Sequence, residues 1–229
     1  MVGRDVTREI VLSMLTCFRG WDWGPVLNTS GPWRPVRLET YHSRIADLRI
    51  DYKLDSNLKS ASGTITGKVE GLSGKTVAFV AQIEDNVVFK GSADVDSNGI
   101  AKVEFHVNEP KLWYPHGYGA QPLYKVTAIV STGEVDLHSA TRQIGFRKGE
   151  LVQQPDDIGK TFFFRINGVD VFCGGSDWIP ADSFTPRVTA EKYRKWLEMM
   201  VDGYQVMIRY ANYPVARCHC LGLLIAEKF

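Results

Sequence analysis

Tyr124-Lys125-Val126-Thr127-Ala128-Ile129-Val130 (residues 124–130) sets an apolar side chain on every second position, with Lys125, Thr127 and Ile129 between. Successive side chains of an extended chain point to opposite faces, so this row reads as a strand with one face in a core. Working outward, the same rhythm recurs at Val103, Phe105 and Val107, at Val77, Phe79, Ala81 and Ile83, and at Leu48, Ile50, Tyr52 and Leu54. Turn residues punctuate the rows at Gly71 to Gly74, Asp96 to Gly99 and Ser131 to Gly133, and Asn98-Gly99 is a strong local hairpin signal. About a hundred residues in this rhythm, Ser43 to Arg147, predict an immunoglobulin-like β-sandwich.

After Lys148 the period changes. Phe162 to Ile166 and Val169 to Phe172 flank Asn167-Gly168 and read as a hairpin, followed by a loop rich in Gly, Pro and Asp. Thr189 is placed to cap a helix whose Tyr193, Trp196, Leu197 and Met200 recur at spacings of three and four, with Gly203 as the stop. Val206 to Tyr210 then reads as a buried strand. Strand, loop, helix, strand is the opening of an α/β repeat with a parallel sheet. Beyond Arg209 the periodicity is lost.

The balance of 27 basic against 26 acidic side chains gives a net charge of +1, which offers no broad basic surface for nucleic-acid phosphates or anionic lipid. Neither nucleic acid nor membrane is expected as a partner. Cys17, Cys173, Cys218 and Cys220 are too few and too scattered for a disulfide framework. Ile10 to Phe18, the longest early apolar stretch, is interrupted by Ser13 and Thr16 and falls short of the ~20 residues of a membrane span. With no leader read in the sequence, the expected location is the reducing cytoplasm.

Three of the six tryptophans, Trp21, Trp23 and Trp33, lie in the turn-rich segment Gly20 to Pro35. In Trp21-Asp22-Trp23 a carboxylate stands between two indoles. It can accept hydrogen bonds from two sugar hydroxyls while an indole face packs on the pyranose. The same residues equally fit a tryptophan packed beside an aspartate that caps a turn, and residue types alone leave both readings open. Asn108-Glu109-Pro110 resembles the setting of an acid/base glutamate in barrel glycosidases, but it ends a sandwich strand, where Pro110 terminates pairing. Cys218-His219-Cys220 has soft ligands without the spacing of a tetrahedral site, so no metal is expected. His42, His106 and His138 fall in or beside strands as polar-face residues. There is no phosphate-cradling glycine loop and no G-x-S-x-G elbow.

Six motifs, in order, carry a resemblance. They are Gly20-Trp21-Asp22-Trp23-Gly24-Pro25; Gly31-Pro32-Trp33-Arg34-Pro35; Pro110-Lys111-Leu112-Trp113-Tyr114-Pro115 with Gly117, Gly119, Pro122, Leu123 and Tyr124; Ile144-Gly145-Phe146-Arg147; Phe164-Arg165-Ile166-Asn167-Gly168; and Trp178-Ile179-Pro180-Ala181-Asp182-Ser183-Phe184. Together they resemble β-mannosidases of glycoside hydrolase family 2, fungal members in particular. The resemblance implies a mainly β chain with an α/β tail: a remnant of a jelly-roll-like sugar-binding domain over residues 1–42, of which 1–16 are unmatched; the immunoglobulin-like sandwich over 43–147; and the opening strands and helix of an incomplete (β/α)8 barrel over 148–229, divergent from 210. It further implies removal of terminal, non-reducing β-mannose with retention, a β-mannosidic oligosaccharide as ligand, no cofactor, and Asp22 and Trp23 as residues that reach the mannose.

The departures from the family pattern shape the expectation for this chain. The acid/base glutamate that follows an Asn on a later barrel strand, and the nucleophile in its Ser-Glu setting, have no counterpart, so the catalytic residues are none. Without both, a retaining glycosidase cannot form or hydrolyse its glycosyl-enzyme intermediate. The resemblance therefore leads to a form shortened at both ends and inactive as written, with only Ser43 to Arg147 stable alone. Two rivals are a sandwich that binds mannosides or another partner without catalysis, and a product with no role.

Overall fold

The computed structural model describes residues 36, 38–71, 74–178, 182, 187–210 and 222–224. Asp22, Trp23 and the cysteines Cys17, Cys218 and Cys220 lie outside them.

Seven strands follow one another from Ser43 to Ile144: β1 (Ser43–Leu54), β2 (Ser60–Gly71), β3 (Thr76–Ile83), β4 (Asn86–Asp94), β5 (Ile100–Asn108), β6 (Tyr124–Thr132) and β7 (Val135–Ile144). They form two antiparallel sheets, β1-β2-β5 and β4-β3-β6-β7. The alternating rows turn toward each other. Ala61, Val77, Phe79, Ala101, Ala128 and Val130 have no exposed surface, while Lys102 and Lys125, one position over, face water. Ile50, Tyr52 and Leu54 pack half-buried at the end of the core. The arrangement is the predicted sandwich, with the fourth strand paired to β3 rather than placed beside β5.

That pairing changes the meaning of Asn98-Gly99. The turn is built as its sequence demands, with Asp96 Oδ1 accepting from the backbone N–H of Asn98 at 2.9 Å and of Ile100 at 2.8 Å. Gly99 has φ +77°, and a Cβ there would lie 2.6 Å from the Val69 carbonyl oxygen. Yet it joins β4 to β5, which belong to different sheets, so it is a corner between sheets and not a hairpin. The two-residue hairpins are Glu84-Asp85, between β3 and β4, and Gly133-Glu134, between β6 and β7.

Three further strands, β8 (Gly149–Val152), β9 (Phe163–Ile166) and β10 (Val169–Val171), make a small antiparallel sheet in the order β10-β9-β8. Asn167 and Gly168 link β9 to β10 with φ of 50° and 82°, the two positive values of a tight type I′ hairpin. The α/β unit comes next: β11 (Gly175–Trp178), helix α1 (Ala190–Asp202) and β12 (Met207–Tyr210), with β11 and β12 parallel. Part of the stretch read as loop after Phe172 is thus the first parallel strand. Its four residues, Gly-Ser-Asp-Trp, lack the β-branched run that marks a buried strand. Thr189 Oγ1 accepts from the Lys192 N–H at 3.2 Å and Gly203 closes the helix, as their residue types predict. A short strand β13 (Gly222–Leu224) pairs antiparallel with β12. No barrel closes among the described residues.

Candidate functional site

Of the sequence-predicted site residues, Asp22 and Trp23 fall outside the described residues. Glu109 is exposed just past β5 with φ +46°, and its N–H donates to the Lys59 carbonyl at 2.7 Å, so it turns the chain at the end of a sandwich strand. His106 Nε2 lies 2.8 Å from Asn108 Oδ1, and His138 Nδ1 accepts the Ile45 N–H at 3.3 Å across the seam between β7 and β1. Cys173 is half-buried, and burial pushes its thiol above the usual range, away from the thiolate a nucleophile needs. Among the described residues no group of three or more His, Cys, Asp or Glu could hold a metal ion.

Three of the recognition motifs, distant in sequence, meet at one place. The segment 110–115 runs beside 144–147 through a parallel bridge between Leu112 and Phe146, and the Trp113 N–H donates to the Phe146 carbonyl at 2.9 Å. Gly145 permits this approach, because a Cβ there would lie 2.8 Å from Trp113 Cβ. Arg147 lies over the indole with Cζ 4.7 Å from the ring centre. Tyr52 of β1 donates its hydroxyl to the Gly145 carbonyl at 2.8 Å and accepts from the Arg147 N–H at 3.1 Å. Asn167, from the third motif, donates Nδ2 to the Trp113 carbonyl at 3.0 Å. These residues are engaged in joining the sandwich to the β8–β10 sheet.

A different arrangement occupies the carboxyl ends of β11 and β12. Trp178 turns toward α1, stacking on Tyr193 at 5.7 Å between ring centres and meeting Trp196 edge-on at 5.6 Å. Because side chains alternate along a strand, its neighbour Asp177 points to the opposite face. Asp177 is paired in register with Arg209 of β12, and the Arg209 guanidinium donates to its carboxylate. Both side chains are more than half exposed. In parallel α/β folds, ligands gather at the carboxyl ends of strands, so this ion pair stands where such a site is built.

The pair presents an acceptor and a fork of donors, which can orient hydroxyls or a carboxylate. Among the described residues the pair brings Asp177 to an arginine and not to a second acid, so it does not by itself supply the two carboxyl groups that cleave a glycoside. Sequence reasoning passed over both residues because Asp177 lies in the glycine-rich stretch read as loop. The signal that could have found it was the strand at Val206 to Tyr210, which required a parallel partner of similar length before the helix.

Residues 43–147 match the sequence model of glycosyl hydrolases family 2. Over 219 residues, 92% of the chain, the sequence is 47% identical to beta-mannosidase B of Neosartorya fischeri, and it is 48% identical to beta-mannosidase B of Aspergillus niger over 220 residues. The chain spans about a quarter of the length of these relatives, 26% in each case. Among solved structures, the beta-D-mannosidase of Dictyoglomus thermophilum superposes with a TM-score of 0.77 at 32% identity, covering 85% of this chain and 24% of that one. The sandwich at residues 43–147 is thus a glycosyl hydrolases family 2 domain, and the likeness of the chain as a whole is to β-mannosidases.

Proposed function

We propose that this chain is the sandwich and barrel-opening portion of a β-mannosidase, an enzyme that releases terminal β-linked mannose from the non-reducing end of oligosaccharides with retention, and that these 229 residues alone do not perform the hydrolysis. The observation that carries the reading is 47% identity to a beta-mannosidase B across 92% of the chain. The parallel β11–α1–β12 unit supports it, being the first repeat of the architecture in which barrel glycosidases carry their acids.

Retention requires a nucleophilic carboxylate and an acid/base carboxyl about 5–5.5 Å apart. Neither has a counterpart in this sequence. Asp22 and Trp23 are assigned to hold the sugar, the carboxylate taking hydroxyls and the indole packing on the ring. Purified chain incubated with an aryl β-mannoside should release no phenol. Turnover abolished by Asp22→Ala or Glu109→Gln would place a working site inside this chain and overturn the assignment.

The crowding of Trp21, Asp22, Trp23 and Trp33 also favours mannoside binding without cleavage. Titration with mannose, followed by tryptophan fluorescence, should give a saturable change that Asp22→Ala removes. An unchanged spectrum at high sugar rejects that second reading.

A further inference from the structure

The sheet β8–β10 begins immediately after the sandwich, and a boundary at Arg147 would make it a separate body. Its hydrogen bonds say otherwise. At the β9–β10 turn, Asn167 is buried although polar, and three of its bonding groups are directed at the sandwich or its exit. Oδ1 accepts the Lys148 N–H at 2.8 Å, Nδ2 donates to the Trp113 carbonyl at 3.0 Å, and the backbone N–H donates to the Lys148 carbonyl at 2.8 Å. At the other end of β10, the Phe172 N–H donates to the Tyr118 hydroxyl at 2.8 Å.

Trp113 and Tyr118 belong to one preformed saddle. The Tyr114 N–H donates to the Ala120 carbonyl at 2.9 Å, the Tyr118 N–H to the Pro115 carbonyl at 3.0 Å, and the buried Gln121 amide to the Tyr114 carbonyl at 3.0 Å. Asn167 is equally prepared, because the type I′ turn fixes its backbone before it docks. Two rigid parts meeting at two points lose little entropy on docking, and undocking would strand the buried Trp113 carbonyl without its partner.

We infer that Asn167 and Tyr118 form a two-point clasp that makes residues 43–172 one rigid unit and fixes where the first parallel strand begins. Only Cys173 and Gly174 separate the clasp from β11. The Gly174 carbonyl in turn accepts from the N–H groups of Val206 at 2.8 Å and Met207 at 3.2 Å, so the start of β12 is set from the same place. The unit therefore ends at Phe172, 25 residues beyond the end of the family-model match at residue 147. This geometry is independent of which sugar, if any, the protein handles.

The test is NMR-detected amide hydrogen exchange on the full 229-residue chain. Asn167→Gly keeps a residue suited to positive φ while removing both side-chain bonds, and Tyr118→Phe removes a single oxygen. If the clasp acts as a unit, each variant speeds exchange at both the Lys148 and the Phe172 amides by about tenfold or more, the far point opening with the near one. If Asn167→Gly accelerates only Lys148 and Tyr118→Phe only Phe172, the bonds are independent and the clasp is refuted. Should Asn167→Gly unfold the sheet, Tyr118→Phe alone decides by its effect on Lys148.

Discussion

The sandwich and the α/β tail are written in equally clear periodicity but differ in closure. In the sandwich, Phe79 and its neighbours on β3 face a second sheet supplied by the same chain; the whole row is buried, and Val77 and Phe79 have no exposed surface. In the tail, Tyr193, Trp196, Leu197 and Met200 form an equally regular stripe, yet α1 buries none of its residues fully. Among the described residues, two parallel strands and β13 lie beneath the helix, while Phe172 at 82% and Tyr204 at 88% exposure stand open beside them. Parallel sheets are stable when covered on both faces, and among the described residues one helix covers one face. Periodicity states which side of an element is apolar; burial depends on what packs against that side.

The largest effect expected from this contrast is at Phe79. Truncation to alanine removes a ring with no exposed surface and should cost the sandwich about 3–5 kcal/mol. Leu197→Ala, on a half-buried position of α1, should cost about 1 kcal/mol or less. Urea unfolding of both variants, followed by circular dichroism, measures the contrast directly. Equal shifts would mean that the tail is as firmly packed as the sandwich.

A second substitution asks how far the tight packing extends toward the tail. At Gly145 an added Cβ falls 2.8 Å from Trp113 Cβ, and Arg147 lies over the indole ring. Gly145→Ala should destabilise the sandwich by roughly 1–3 kcal/mol through overpacking. An unchanged urea midpoint would show that Trp113 can shift and that the edge near the joint is already loose.

The helix cap gives a smaller effect confined to the tail. Thr189→Ala removes the acceptor of the Lys192 N–H, a change of about 1 kcal/mol for the helix. Because α1 buries none of its residues fully, the far-ultraviolet helical signal should fall while the sandwich midpoint stays in place. A matching drop in the midpoint would show that the two regions unfold together.

The same contrast governs what was legible in the sequence. The rows at Tyr124, Val77, Val103 and Leu48 announced their strands because one face of each meets a core. β2 was less visible, since Gly63 and Gly67 interrupt its apolar positions; at Gly63 a Cβ would meet the Asp51 carbonyl oxygen of the paired strand at 2.0 Å. Asn98-Gly99 announced a turn correctly but not which sheets it joins, because turn chemistry is local and strand pairing is not. Asn167-Gly168 read correctly as a hairpin, while the docking of Asn167 on Trp113 joins residues 54 positions apart that no local pattern relates. Asp177 was hidden in a short glycine-containing strand, and its importance depends on a register with Arg209 that only the parallel pairing reveals. The resemblance motifs were legible as a family signature, but not that three of them meet at the joint between the sandwich and the β8–β10 sheet.

The smallest effect is electrostatic, and it separates the regions by burial alone. In the sandwich, Glu70 of β2 accepts from Arg44 Nε at 2.9 Å and from the Tyr41 hydroxyl at 3.1 Å. The Arg44 hydrogen bond, helped by Tyr41 and opposed by partial burial, holds the Glu70 carboxyl below the usual range. A carboxyl depressed in the folded state stabilises at pH above its unfolded value, near ~4.3, and that contribution disappears as the pH falls through the folded value. Glu70→Gln should therefore lower stability at neutral pH by about 0.5 kcal/mol or less, the discount being solvent screening, and the gap from the parent should close on acidification. In the β8–β10 sheet, Asp170 is likewise held low by Arg165, but that pair stands exposed to solvent. Asp170→Asn should leave the pH dependence of the urea midpoint unchanged, and a larger gap for Asp170→Asn than for Glu70→Gln would mean that the β8–β10 sheet carries more of the fold than its exposure indicates.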